Sequence, residues 1–323
     1  MARVLITDQN YEDLSLEREL FGSAGLELAV AQCASEDEVL AAGRDFDAFL
    51  VQYAPIGARA LAELPRLGII SRIGAGYDTI DTAACAKYGV WLANSPDYGV
   101  GEVATHALAL ALALIRNVVA YNRDISGGRW HYLSSGKLRR ASDLTLGIVG
   151  LGRIGKRMAH VSRNLFRRVI ACDPYLIDGD FPAYVQRASM AALFEQSDLV
   201  SLHTPLNDET RGMVGATMLT RMRPGSYLVN TARGALVDIG DLLAAVDSGI
   251  LAGAALDVLP VEPVPVDSRL LGHPKVILTP HAAYFSVQAE IELRRKAAQN
   301  IVTWLKTGRP EYVVVAGTRR YVG

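Results

Sequence analysis

Three side chains far apart in the chain form a set that could move a proton at a carbonyl: Arg233, Glu262 and His281. An imidazole gives or takes a proton near neutral pH. A carboxylate beside an imidazole favours the protonated ring. A guanidinium holds a substrate carboxylate through two parallel hydrogen bonds and polarises a carbonyl. Taken singly, each residue has an ordinary alternative. Arg233 could be a surface charge after a strand, Glu262 before Pro263 a loop filler, and His281 a partner for a neighbouring carbonyl. Their meaning depends on whether the fold collects them.

A second group of residues could hold a dinucleotide. The text "GIVGLGRIGKRMA" contains Gly150, Gly152 and Gly155 in a G-x-G-x-x-G, after an apolar strand run and at the opening of a helix. Gly150 permits the tight turn, Gly152 lets a pyrophosphate approach the backbone, and Gly155 lets the helix lie close to the strand. The helix N-terminus offers free N–H groups and partial positive charge, and Arg153 could add a phosphate contact. "RVIACDP" then places Asp173 at the end of the next strand. A carboxylate there accepts the ribose hydroxyls and repels a 2′-phosphate, so the expected cofactor is NAD. With that cofactor, the acid–base set suits hydride transfer to a 2-keto acid, whose alkoxide must receive a proton. The cofactor carries the redox chemistry and the protein orients it.

Both groups need a scaffold that brings strand ends together. Up to about residue 95, "RVLITD", "LELAVAQ", "AFLVQY", "LGIISRIG" and "VWLANSP" read as strands with helical text between some of them. From Leu144 a second series follows: "LTLGIVG", "RVIACD", "DLVSLHT", "SYLVNTA", "GAALDV" and "KVILTPH". Such alternation predicts α/β architecture with two doubly wound parallel sheets. The expected domains are 1–97 plus 286–323, made discontinuous by a returning helix near 286–307, and 98–285, which carries the nucleotide. Ligands of such sheets bind at the carboxyl ends of strands. The residues found there are His203, Thr204 and Pro205; Thr231, Ala232 and Arg233; Asp257; and Thr279, Pro280 and His281.

Composition removes other classes. The 323 residues carry a net charge of −1, which gives no field for nucleic acid. Cys33, Cys85 and Cys172 are far apart, with no C-x-x-C pair. No disulfide framework or metal site is expected, and a reducing, cytoplasmic setting fits. The text opens directly on a strand, so export is not expected. A long helix near 101–122 is apolar all round between His106 and Arg116, too short to span a bilayer. It is expected between domains or subunits, as part of a homodimer through the nucleotide domains. The segment "GGRWHYLSSGKLRRASDLT" reads as a polar surface loop.

"RIGAGYDTID", "GIVGLGRIG", "LVNTARGALVD", "GAALDV" and "LTPHAA", in that order, resemble the D-isomer-specific 2-hydroxyacid dehydrogenases over nearly the whole chain. The resemblance implies a flavodoxin-like substrate domain and a Rossmann NAD domain with a cleft between. It makes Arg233 the substrate-binding arginine, Glu262 the partner of the histidine, His281 the general acid/base and Asp257 a neighbour of the nicotinamide amide. Backbone amides of Ile73, Gly74, Ala75 and Gly76 would help bind the substrate carboxylate. Val103, Ile154 and Ala283 would join the cofactor contacts, and Tyr53 and Tyr284 the substrate pocket. "DPYL" and "TPHAAYFSVQA" are similar to the branch of the C-terminal-binding-protein corepressors. That branch carries tryptophan where this chain has Tyr284. An NADH-sensing scaffold is therefore the rival to an enzyme. Phosphoglycerate dehydrogenase and glyoxylate or hydroxypyruvate reductase are alternatives within the enzyme reading.

Overall fold

In a computed structural model, described for residues 1–321, the β-branched runs of the first third become strands of one sheet. They are β1 (Arg3–Ile6), β2 (Glu27–Val30), β3 (Ala48–Val51), β4 (Ile69–Arg72) and β5 (Trp91–Ala93). Between them run α1 (Ser15–Ser23), α2 (Glu36–Gly43), α3 (Ala58–Glu63) and α4 (Thr82–Tyr88). β3 is buried at all four positions, as expected for a strand covered on both faces.

The second series starts with α5 (Val100–Ile115) and α6 (Val118–Ser126). It continues as β6 (Thr145–Val149), α7 (Arg153–Ser162), β7 (Arg168–Cys172), β8 (Val185–Arg187), α8 (Met190–Gln196) and β9 (Leu199–Leu202). Then come α9 (Ala216–Leu219), β10 (Ser226–Asn230), α10 (Ile239–Asp247), β11 (Leu251–Leu256) and β12 (Val276–Leu278). The chain closes with α11 (Val287–Thr307) and β13 (Val313–Val315).

The chain falls into two units: Met1–Tyr98 together with the segment from Ser286, and Gly99–Phe285. The first holds a sheet of order β13-β5-β4-β3-β1-β2, parallel except where β13 pairs antiparallel with β5. The second holds a parallel sheet of order β12-β11-β10-β9-β6-β7-β8. Two short edge strands, β8 and β13, were not expected from sequence. β8 has three residues of which only Val185 is buried, so its text lacks the apolar run that marks the inner strands.

The expected single helix over 101–122 is broken. Arg116 caps α5, Asn117 turns into the left-handed region at φ 51°, and α6 leaves at 59°. The Asn117 amide donates to Ser135 O at 2.8 Å, which supports the turn. α5 buries Ala104, Ala107, Leu110, Ala111, Leu114 and Ile115. Among the described residues, no single helix is long and apolar enough to cross a membrane.

α11 begins with Ser286 accepting the Ala289 N–H and ends at Gly308 with φ 80°. It is fastened into the first unit by a buried ion pair. The Arg294 guanidinium donates to both oxygens of Glu17, at 2.8 and 2.6 Å, and to Asp13 O at 2.8 Å. Glu17 is fully buried and Arg294 nearly so. Further along, the Trp304 ring fills the space a side chain at Gly68 would need.

Removing Glu17 leaves the buried Arg294 charge with only the partly exposed Glu290 carboxylate, at 3.1 Å. Glu17→Gln is therefore expected to lower unfolding free energy by about 3–5 kcal/mol in urea titration. The double variant Glu17→Leu/Arg294→Met should recover most of that loss.

Candidate active site

Because all seven strands of the second sheet run parallel, six strand ends lie along one edge. Gly150 follows β6, Asp173 β7, His203 β9, Thr231 β10, Asp257 β11 and Thr279 β12. Successive connections run to opposite sides from the β6–β9 pair, which is the switch point where such sheets bind ligands.

The glycine turn is tightly built. Gly150 has φ +86°, and a Cβ there would lie 2.6 Å from His203 O. A Cβ at Gly155 would meet Gly150 O at 2.1 Å. At Gly152 a Cβ would meet nothing within 4 Å. Two glycines are thus required by the fold, while the third leaves a gap beside the N-terminus of α7, where Gly152 is the cap residue. That pattern fits a pyrophosphate cradle. Asp173 takes the Leu151 N–H at 2.8 Å and the Tyr175 N–H at 3.0 Å, so it braces the turn as well as facing the edge. Arg153 is exposed and Ile154 half-buried on the first turn of α7.

His203 sits 2.9 Å from Ser201 Oγ. Burial of its ring pushes its pKa from 6.5 down to about 4. It is neutral at physiological pH and so adds no charge to this edge. Thr204 and Pro205 follow it on the surface turn. Thr231 is buried, with a hydroxyl that has no hydrogen-bond partner among the described residues. Val103 is half-buried on the first turn of α5.

Arg233, Glu262 and His281 are brought together through backbone contacts. Fully buried Asn230 donates to Arg233 O at 2.9 Å and accepts the Ala232 N–H at 3.0 Å. This fixes the turn that projects Arg233. Gly234 lets the same turn press on the next loop, since a Cβ there would lie 1.9 Å from the Leu259 carbonyl carbon. Within that next loop, Glu262 Oε1 accepts the Leu259 N–H at 2.7 Å, and Oε2 meets His281 Nδ1 at 2.7 Å.

Burial alone would raise the pKa of Glu262. The hydrogen bond from His281, the Leu259 N–H and the charges of His281 and Arg233 outweigh it, and the carboxyl lies below its ordinary value. Glu262 is therefore ionised at neutral pH and can only accept. The shared proton therefore sits on His281 Nδ1.

His281 itself has φ 53°, a left-handed conformation rare for a residue with a Cβ. It is held there by Asp257, which is 2% exposed. Asp257 O accepts the His281 N–H at 2.8 Å. Its carboxylate accepts the Ala282 and Ala283 N–H groups, both at 2.9 Å, and the Thr279 hydroxyl at 2.5 Å. Asp257 thus organises the histidine loop from within. Tyr284 stands edge-on to the His281 ring, with centroids 6.5 Å apart.

In the first unit, the Ile73–Gly76 loop follows β4. The N–H groups of Ile73 and Gly74 are already used, by Val51 O at 2.7 Å and Arg72 O at 3.0 Å. Those of Ala75 and Gly76 have no acceptor among the described residues. Gly74 has φ +147° and leaves room for the Arg72 guanidinium. Tyr53 is 44% exposed, and its main chain is held by Asp8 at 2.5 Å. Trp130 and Tyr132 belong to the exposed loop after α6.

Residues that sequence reasoning did not single out are Asn230, His106 and the Leu259 amide. Asn230 stands inside the quoted "LVNTARG", where its full burial was the missing signal.

Residues 108–283 match the family described as D-isomer specific 2-hydroxyacid dehydrogenase, NAD binding domain. The chain is 36% identical over 265 residues to a glyoxylate reductase of Korarchaeum cryptofilum, covering 80% of each. The chain belongs to the D-isomer-specific 2-hydroxyacid dehydrogenase family. This dehydrogenase is also 32% identical over 311 residues to a D-3-phosphoglycerate dehydrogenase of Bacillus subtilis, covering 95% of this chain and 57% of that one. A crystal structure of a D-lactate dehydrogenase from Aquifex aeolicus, complexed with NAD and lactic acid, superposes with a TM-score of 0.87 at 26% identity, covering 98% and 100%. The dehydrogenase is an NAD-binding oxidoreductase that works between 2-keto acids and D-2-hydroxy acids.

The glycine turn gives a test that separates fold from ligand. Gly155→Ala should lower stability by about 1–3 kcal/mol, because the added methyl meets backbone. Gly152→Ala should leave the melting temperature near that of the parent and weaken NADH binding in a fluorescence titration. Equal effects of the two substitutions on melting would contradict the assignment of Gly152 to the ligand.

Proposed function

We propose that the dehydrogenase reduces a small 2-keto acid to its D-2-hydroxy acid with His281 as the proton donor. The observation that carries this reading is the 2.7 Å contact between His281 Nδ1 and ionised Glu262. NAD(H), when bound, supplies or accepts the hydride. Gly150, Gly152, Gly155 and the α7 N-terminus would hold its pyrophosphate, and Asp173 its adenosine ribose. His281 gives its Nε2 proton to the alkoxide oxygen, and Glu262 stabilises the imidazolium before that transfer. In the reverse direction the neutral imidazole takes the hydroxyl proton, and Glu262 then stabilises the charge that forms. Arg233 binds the substrate carboxylate and draws electron density from the carbonyl. In the first unit, the amides of Ala75 and Gly76 are the donors of that loop best suited to a carboxylate.

Glyoxylate and hydroxypyruvate head the substrate class, because relatives of this chain are named glyoxylate reductase and glycerate dehydrogenase. The similarity to the corepressor branch rests on short stretches of sequence, and a complete Arg233, Glu262 and His281 set favours turnover over a scaffold. For assembly we infer a homodimer through the nucleotide unit. Val118, Val119, Trp130 and Tyr132 are exposed on and after α6, and Trp130 at 87% is a large apolar surface that a second copy would cover. Buried Cys33 and Cys85 are in keeping with a cytoplasmic setting.

The reading is tested by following NADH oxidation with glyoxylate, hydroxypyruvate, pyruvate and phenylpyruvate. His281→Ala should lower kcat by about 100-fold or more while NADH affinity stays near that of the parent. Arg233→Ala should raise KM as well as lower kcat. Tight NADH binding without turnover on the panel would sink the enzyme reading in favour of a sensing scaffold.

A further inference from the structure

We propose that His106 is a positioning residue that fixes, through Thr279 and Asp257, the backbone that presents the proton donor. The proposal rests on the reading of His281 given above. His106 lies on α5, at the edge of an apolar run, with its side chain 27% exposed. Its Nε2 is 3.1 Å from Thr279 Oγ1. The Thr279 hydroxyl has one proton and gives it to Asp257 Oδ1 at 2.5 Å. Thr279 Oγ1 must then accept from His106, so Nε2 of His106 carries hydrogen. The same nitrogen is 3.6 Å from Asp257 Oδ1.

The consequence reaches the active loop in two steps. Asp257 Oδ1 is shared by the Thr279 hydroxyl and the Ala282 N–H, and Oδ2 takes the Ala283 N–H. Three consecutive amides, 281 to 283, therefore hang on Asp257. The left-handed His281 persists only while its surroundings over-determine it. A donor on α5 orients the Thr279 hydroxyl toward Asp257 and keeps that carboxylate turned to the loop. An apolar residue at 106 would serve packing equally well. It would leave the threonine oxygen without its donor and free its hydroxyl to rotate away from Asp257.

The test uses exchange and ring spectra, so that it stands whether or not the substrate class is right. In the full-length 15N-labelled protein, the His106 ring should show the Nε2–H form. Amide exchange at Ala282 and Ala283 should be slow in the parent and faster by about tenfold in His106→Leu, the scale of one lost hydrogen bond. His106→Gln, which can place a donor at the same point, should restore slow exchange. Thr279→Val should match His106→Leu, and the double variant should be no worse than either single one, because all act through one chain of bonds. Turnover then follows the exchange: kcat falls in His106→Leu and recovers in His106→Gln, with NADH affinity held. Parent-like exchange in His106→Leu, or additive effects in the double variant, would overturn the proposal. If His106→Leu does not fold, the Thr279→Val and His106→Gln comparison decides it in the same way. Absence of turnover in the parent would instead count against the enzyme reading alone.

Discussion

One buried carboxylate holds the active edge together. Asp257 sits at the end of β11, almost wholly removed from water. A buried carboxylate is tolerated only when donors surround it. Here they are the Thr279 hydroxyl and the amides of Ala282 and Ala283, while the Asp257 carbonyl takes the His281 amide. That arrangement forces His281 into the left-handed region and so sets where its ring points. Glu262 then closes the side-chain end of the same residue at 2.7 Å. Backbone and imidazole are thus held by two different acids, Asp257 buried and Glu262 exposed.

The parallel sheet makes this economical in chain. A single edge receives the glycine turn, Asp173 and the His281–Glu262 pair because every strand ends there. The close contacts that join neighbouring loops are made by glycines. Gly150 admits the His203 backbone, and Gly234 admits the Leu259 backbone. Through the second contact, the turn bearing Arg233 rests on the loop bearing Glu262. Against the opposing effect of burial, the hydrogen bonds from His281 and the Leu259 N–H, with the neighbouring charges of His281 and Arg233, keep the glutamate ionised. Geometry and protonation state therefore have a common cause.

Much of this was legible in the sequence, for identifiable reasons. The inner strands are buried on both faces, so β3 reads as an unbroken apolar run and β6 as one interrupted only by Thr145 and Gly147. The candidate site residues follow those runs closely, so listing what comes after each strand finds Asp173, Arg233, Asp257 and His281. Edge strand β8 stayed hidden because one buried valine followed by two exposed polar residues makes no apolar run, and β13 because Val313–Val315 is only three residues long. The break at Asn117 was hidden too, since apolar text continues across it as Val118 and Val119. The inward duty of Asp257 could not be read, because an acid after a strand looks the same whether it faces a ligand or a neighbouring loop. His106 was invisible for a related reason: its partner, Thr279, lies 173 positions away.

Asp257 sets the conformation that presents His281. A crystal structure of Asp257→Asn tests it most directly, since the amide keeps the size of the side chain but turns one acceptor into a donor facing an N–H. In the variant the 279–283 loop should relax, His281 should leave its positive φ, and Nδ1 should part from Glu262. A loop unchanged in the variant, with His281 still near 53° and still bonded to Glu262, would contradict it.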